Sequence, residues 1–285
     1  STLFAEIETR LDTDPDVRRV ALQTVGKSRD KEALPYVRHL SLNDPEVSNR
    51  VYALEALDQI APEENDEIFR EALTDPYLPV HLKAADVVVR NKDNKAIGTL
   101  QILASSPNPQ IRISSGKSLI KLGSKSGFPL LIDELGQSMT TQSPHDNNQS
   151  LLELLFEFSG KTFSWEEQLW QKWWIDNEAS FDLTATLQAR KDYLSFLEAI
   201  SRQRPSVVLK RLKKLRKQHA DYHGLDIKLL PWTKAKARAS FDSGKFSVAL
   251  SLAQLSVTMN GQDADLQALL SEIHFAMKKP DEAIN

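Results

Sequence analysis

Asp14-Pro15-Asp16-Val17-Arg18 returns three times along the chain in altered form. It recurs as Asp44-Pro45-Glu46-Val47, as Asp75-Pro76-Tyr77-Leu78, and as Asn108-Pro109-Gln110-Ile111-Arg112. The intervals are 30, 31 and 33 residues. Each copy reads as a helix start. An Asp or Asn side chain can accept from the free backbone N–H groups of a first turn, and Pro suits the first helical position, where its missing N–H costs nothing. Apolar residues then follow at helical spacing, as in Val17, Val20, Ala21 and Val25, or Val47, Val51, Leu54 and Leu57. A second apolar helix follows each start, over Leu34 to Leu42, Ile68 to Leu73, Ala96 to Leu103 and Phe128 to Leu135. A repeat of this period, made of two helices, predicts an all-α stack in which each pair buries its apolar face against the next. No stretch alternates with period two, so no sheet is expected.

The whole chain has 285 residues, 41% hydrophobic and 26% charged, the balance of an ordinary folded protein. No apolar run approaches the ~18 residues that a membrane helix needs. There is no cysteine, which excludes disulfides, thiol nucleophiles and thiolate-bound zinc. That composition suits a bacterial envelope protein and a cytoplasmic one equally. The net charge of −3 conceals an asymmetry: residues 1–187 sum to −10, 188–248 to +10, and 249–285 to −3. A local concentration of one sign points to a partner better than the net value does.

The Asp-Pro-x-Val-Arg pattern, met most fully at 14–18 and 108–112, resembles the HEAT repeat over roughly residues 3–137. It departs from that pattern at Ser48 and Pro79, where Arg is usual. The resemblance implies a right-handed α–α superhelix, a concave face lined by the second helices, and binding to a protein or peptide. It does not by itself assign a function, because such arrays serve many tasks. Gly160-Lys161-Thr162-Phe163 leading to a helix with Trp170, Trp173 and Trp174 resembles the segment that closes bacterial HEAT arrays. Gly244-Lys245-Phe246-Ser247-Val248-Ala249 resembles the tetratricopeptide inter-helix turn. Lys279 to Ile284 resembles the same turn one repeat later, with Ala249 and Ala283 separated by 34 residues. The expected organisation is a HEAT-like array over 1–180 with a Trp-rich closing helix, then a helical segment over 181–285 ending in tetratricopeptide-like repeats. Residues 138–149 read as a loop and 205–223 as a helix stopped by Gly224. With the final turn near the end of the sequence, the apolar side made by Leu269, Leu270, Ile273 and Met277 is expected to need cover, from a continuing array or a second copy.

Several residues could carry chemistry. Gly160-Lys161-Thr162 has the end of a phosphate loop, but Leu155 stands where such a loop needs its first Gly, and a helix precedes it rather than a strand. His219 and His223 have the four-residue spacing that lets two imidazoles share a metal on a helix, among cations that would repel one. The other histidines show no triad-like spacing. No metal, cofactor or catalytic residue is therefore assigned, and a non-enzymatic role is expected. The strongest feature is a run of Arg202, Arg204, Lys210, Arg211, Lys213, Lys214, Arg216 and Lys217 without one acid from Ser201 to Ala220. Leu209, Leu212 and Leu215 supply its apolar side. The run is either a polyanion-binding face or a solvated outer face. Trp165, Trp170, Trp173 and Trp174 are either a cap over the last repeat or a stacking platform. On a helix the adjacent Trp173 and Trp174 are expected to face apart, so at least one of them is expected in the core.

The leading expectation is a helical-repeat scaffold for a protein or peptide. The first alternative is nucleic-acid binding through 202–217, extending to a HEAT-like DNA glycosylase, although the acidic N-terminal array disfavours DNA lying along it. The second is a HEAT-type chromophore lyase, which the tetratricopeptide-like end disfavours.

Overall fold

A computed structural model describes residues 14–140, 146–200 and 203–278. The described residues form fifteen α-helices, with short 3-10 turns between some of them and no strand. They gather into two compact units that interleave in sequence. The first holds the described residues up to 140 together with 170–179, and the second holds 146–169 and the described residues from 180 onward. The residue 180 boundary thus does not coincide with a single cut between units.

In the first unit, eight helices make four stacked pairs, an α-solenoid. They are α1 (Pro15–Ser28), α2 (Leu34–Asn43), α3 (Val47–Ile60), α4 (Asp66–Ala72), α5 (Leu78–Arg90), α6 (Ile97–Ile102), α7 (Pro109–Lys121) and α8 (Gly127–Thr140). First helices pack in series, α1 on α3, α3 on α5 and α5 on α7, and the second helices α2, α4 and α6 each also touch the first helix of the next pair. Small side chains make the close approach possible: Ala53, Ala56, Ala84, Ala85 and Ser115 are buried where these helices meet. Larger apolar groups, among them Leu22, Leu54, Leu57, Phe69, Leu73 and Leu100, fill one continuous core.

The four Asp/Asn-Pro starts divide into two kinds. Every capping side chain accepts from the N–H two residues on, at 2.9 Å in all four copies. Pro15 and Pro109 open their helices as expected. Pro45 and Pro76 do not, since α3 and α5 begin two residues later, at Val47 and Leu78. In these two copies the Asp has a second duty that ties one repeat to the preceding one. Arg18 donates through Nε to Asp44 Oδ2 at 2.7 Å and through Nη2 to Oδ1 at 2.9 Å. Arg50 holds Asp75 in the same way, at 2.8 and 3.2 Å, and gives its third donor to the Asp44 carbonyl at 2.8 Å. The place lost at Ser48 is therefore filled two residues later, by Arg50. At the equivalent place in the third repeat stands His81, fully buried, with Nδ1 2.9 Å from the Leu73 carbonyl. In the fourth, Arg112 clasps Glu134 and donates to the Ser106 carbonyl at 2.8 Å.

The second unit holds α9 (Asp146–Ser159), α11 (Leu183–Ile200), α12 (Pro205–Gln218), α13 (Asp226–Asp242), α14 (Phe246–Met259) and α15 (Ala264–Lys278). Between them in the chain, α10 (Glu167–Asn177) gives its residues from Trp170 onward to the first unit. The loop expected over 138–149 is helix at both ends, since α8 runs to Thr140 and α9 starts at Asp146, and residues 141–145 lie outside the described residues. Helix α12 ends at Gln218, not at 223, and Gly224 is not its stop. Gly224 is instead buried against α9: a Cβ there would lie 1.9 Å from the Phe156 carbonyl oxygen. Likewise Gly160 takes φ +73° beneath Tyr222, and its carbonyl accepts from His223 N at 2.8 Å. At the far end, α15 is covered within the chain. Leu269 and Ile273 pack with Ala249, Leu252 and Ala253 of α14, which removes most of the open apolar side expected there. Met277 remains exposed, and Lys279 to Ile284 lie outside the described residues.

Candidate functional site

The basic run folds as α12, and its burial follows its sequence. Val208, Leu209 and Leu212 are buried among residues of α11, α13, α14 and α15 and of the turn segment before α13, while Leu215 is half-buried. Lys210, Lys213, Lys214 and Lys217 then fall at i, i+3, i+4 and i+7, one stripe on the opposite side. All four are exposed, and none pairs with a described carboxylate. Arg204 and Arg211 are also exposed. Arg211 donates to Gln203 Oε1 at 2.9 Å and lies over the Phe196 ring, 5.7 Å from its centroid. Arg216 departs from the expectation of a basic face. It turns inward and donates to Asp226 Oδ1 at 2.6 Å, with a side chain only 17% exposed. Arg202 lies outside the described residues.

Beside the stripe, α11 and α12 border an open groove of about 290 Å³. Asp192, Ser195 and Phe196 form one wall, and Arg211, Lys214, Leu215 and Gln218 the other. Its chemistry is mixed: two cations, one carboxylate, a hydroxyl, an amide and two apolar groups. Asp192 accepts from Gln188 Nε2 at 2.8 Å and lies 2.9 Å from His219 Nε2. Val207, one turn before Lys210 and Arg211, adds an exposed apolar side chain at the same edge.

In the same unit, α9, α11, α13 and the turn at Tyr222 share a polar network around Glu157. Arg190 donates twice to Glu157 Oε2, at 3.0 and 2.7 Å, and Lys228 reaches Oε1. Burial pushes the Glu157 carboxyl up, but the two cations more than offset it and hold it below the usual carboxylate range. Tyr222 donates to the Glu157 carbonyl at 2.8 Å, and burial raises its phenol. Tyr193, 5.2 Å from Tyr222 between ring centroids, is pushed by burial to about 12. Each of these groups is held in one charge state near neutral pH, as suits a rigid support.

The other sequence candidates separate. His219 and His223 are not on a helix and do not converge: the first faces Asp192, the second lies 3.2 Å from Asp226 Oδ2. Among the described residues no three His, Asp or Glu gather as a metal site. Trp170, Trp173 and Trp174 are all buried, so the core takes both members of the adjacent pair, of which at least one was expected there. Phe128 of α8 makes this possible. Trp174 stacks on its ring at 4.7 Å, while Trp173 meets the ring edge-on at 6.1 Å, which sets the neighbouring indoles on two sides of one aromatic. These three are unavailable as a stacking platform. Trp165 is 36% exposed and belongs to the second unit. The groove itself was not legible in the sequence, because Asp192, Ser195 and Phe196 come from another helix. No described helix is long and apolar enough to cross a membrane.

Comparison with known proteins adds one result. A family model described as HEAT repeats matches residues 2–88, which reaches into the third helix pair. No curated protein matches the chain. The match covers less than a third of the chain, and with the stacked helix pairs it supports a HEAT-like helical-repeat architecture.

Proposed function

We propose that this chain is a non-enzymatic scaffold that binds a protein or peptide partner, with the α12 face as its principal contact. The observation that carries the reading is the lysine stripe. Lys210, Lys213, Lys214 and Lys217 lie exposed in one row with no described carboxylate to meet them, although carboxylates elsewhere in the same unit are closely paired. Unmatched like charge on a rigid helix raises the encounter rate with an oppositely charged surface and selects against a like-charged one. The histidine–carboxylate pairs support no catalytic reading. Ser195 shares the groove wall with Asp192, but it makes no hydrogen bond to His219, the contact that an activated hydroxyl would need. HEAT-type arrays in general serve as interaction scaffolds, which agrees with this assignment.

The stripe also gives the second reading its basis, a nucleic-acid or other polyanion contact, since phosphate binding needs little beyond closely spaced cations. Cross-linking in cells, followed by affinity purification and pairwise reconstitution from pure components, separates the two. The scaffold reading expects a protein that rebinds the pure chain. Recovery of nucleic acid alone, with no protein that rebinds, would replace it with the second.

A further inference from the structure

We infer that the groove between α11 and α12 is built for an acidic, partly apolar peptide segment rather than for a phosphate backbone. The inference rests on the scaffold reading and names the partner's chemistry. Its starting point is that the groove does not have one sign. Arg211 and Lys214 present donors from α12, and Lys210 and Lys217 extend that row. Facing Arg211 and Lys214, Asp192 presents a carboxylate that is 29% exposed. Its Oδ1 accepts from Gln188 and its Oδ2 lies against His219, so its orientation is fixed, yet each oxygen retains a second lone pair.

A phosphodiester chain offers acceptors and negative charge, and would meet Asp192 as a repulsive neighbour. A peptide offers both kinds of group. Its acidic side chains can engage Lys214 and Arg211 while its backbone N–H groups donate to Asp192. The apolar residues place a third requirement. Leu215 and Phe196 line the groove, and Val207 is 48% exposed at its edge. These groups favour an occupant that alternates carboxylates with aliphatic side chains. The volume of about 290 Å³ lies at the lower end of the range for ligand pockets, enough for one or two inserted side chains. Arg211 is already ordered by Gln203 and by the Phe196 ring, so less freedom is lost when a carboxylate engages it.

The sign of one substitution separates this from plain charge attraction. Asp192→Asn removes a negative charge, so any simple polyanion should bind the variant more tightly. A peptide that uses the carboxylate as an acceptor should bind it more weakly, by roughly tenfold, the value of a hydrogen bond to a charged group. The probes are a fluorescein-labelled peptide of alternating Glu and Leu and a labelled single-stranded DNA, titrated by fluorescence anisotropy against the full chain at low and physiological salt. The expected result is saturable peptide binding, weakened by Asp192→Asn and lost in Lys210→Glu/Lys213→Glu/Lys214→Glu/Lys217→Glu, with DNA binding unchanged or tightened by Asp192→Asn. Should Asp192→Asn disturb the helical circular dichroism, Ser195→Ala with Lys214→Gln serves in its place, and the same weakening of peptide is expected. Peptide binding that is absent from the wild type, or strengthened by Asp192→Asn, overturns the inference. So does a reconstituted protein partner that binds wild type and the fourfold variant equally, an outcome that keeps the scaffold role but moves its contact away from α12.

Discussion

His81 shows how one residue can sit in a repeated position and behave unlike its neighbours. Arg18 and Arg50 each hold a carboxylate of the next repeat, and Arg112 holds one of its own helix pair. His81 reaches only the Leu73 carbonyl, and its Nε2 is buried with no hydrogen-bond partner. Burial lowers the pKa of its imidazole, opposed only in part by that carbonyl. The unfolded chain would titrate near the ordinary value of about 6.5. Between that value and the lower folded one, the unfolded state binds the extra proton, so stability rises with pH. The contribution is complete above about pH 6.5 and is lost as pH falls below it. Thermal melts across this window should show a wild-type Tm that falls on acidification, and His81→Leu should flatten the trend; equal slopes would show that His81 is not the group responsible. Gly224 makes a steric counterpart. Its Cα lies against the Phe156 carbonyl, and a Cβ at 1.9 Å meets backbone that no rotamer change can relieve. Gly224→Ala should cost about 3 kcal/mol, the upper end for overpacking, in a chemical denaturation series. A loss within experimental error would mean that the two backbones separate freely.

At the scale of elements, the helices were legible and their partnerships were not. Capping side chains and apolar spacing act within one helix, so the starts at Pro15 and Pro109 and the apolar side of α12 could be read directly. The delayed starts at Val47 and Leu78 could not, because Asp44 and Asp75 are also held by arginines of the preceding repeat. The residues from His219 to His223 read as the end of the basic helix with Gly224 as its stop, whereas the helix ends at Gln218 and Gly224 answers to α9, more than sixty residues earlier in the chain. The Trp helix gives the same lesson. A helical wheel sets Trp173 and Trp174 about 100° apart, and only the position of Phe128 shows that both directions lead into the core. Each indole should therefore matter to stability. Trp170→Ala, Trp173→Ala and Trp174→Ala should each cost about 3–5 kcal/mol, the usual range for a buried large aromatic, with Trp170, fully buried, at the upper end. Urea midpoints of the three variants would test this, and a single unaffected variant would identify an indole that does not contribute to the core.

For the whole molecule the question is where the opposite charges of the sequence go. Residues 188–248 sum to +10 and residues 1–187 to −10. Much of this is settled locally: Arg190 and Lys228 meet Glu157, Arg216 meets Asp226, Lys234 meets Asp263 and Asp265, and Arg238 meets Glu272. The composition of the run at 202–217 could not distinguish paired from unpaired cations. Geometry does so by removing Arg216 from the face and leaving four lysines on it. Local pairing and open charge have different consequences when they are disturbed. An exposed, unmatched lysine contributes little to stability, and reversing it relieves repulsion among its neighbours as readily as it creates new strain. The variant with Lys210, Lys213, Lys214 and Lys217 all changed to Glu should accordingly keep its helical circular dichroism and melt within a few degrees of the wild type. Breaking an inward pair instead, by Glu157→Ala, should leave Arg190 and Lys228 without their carboxylate and lower the melting point far more. Salt supplies the other half of the comparison. If all four lysines contacted duplex phosphates, the logarithm of the binding constant would fall with the logarithm of salt at a slope of roughly −3.6. A mixed groove holding a peptide through Asp192, Leu215 and Phe196 as well as Lys214 should show a much shallower slope, because part of its affinity releases no counterions. A slope near the phosphate value with duplex DNA, combined with peptide binding that disappears by physiological salt, would assign the face to nucleic acid.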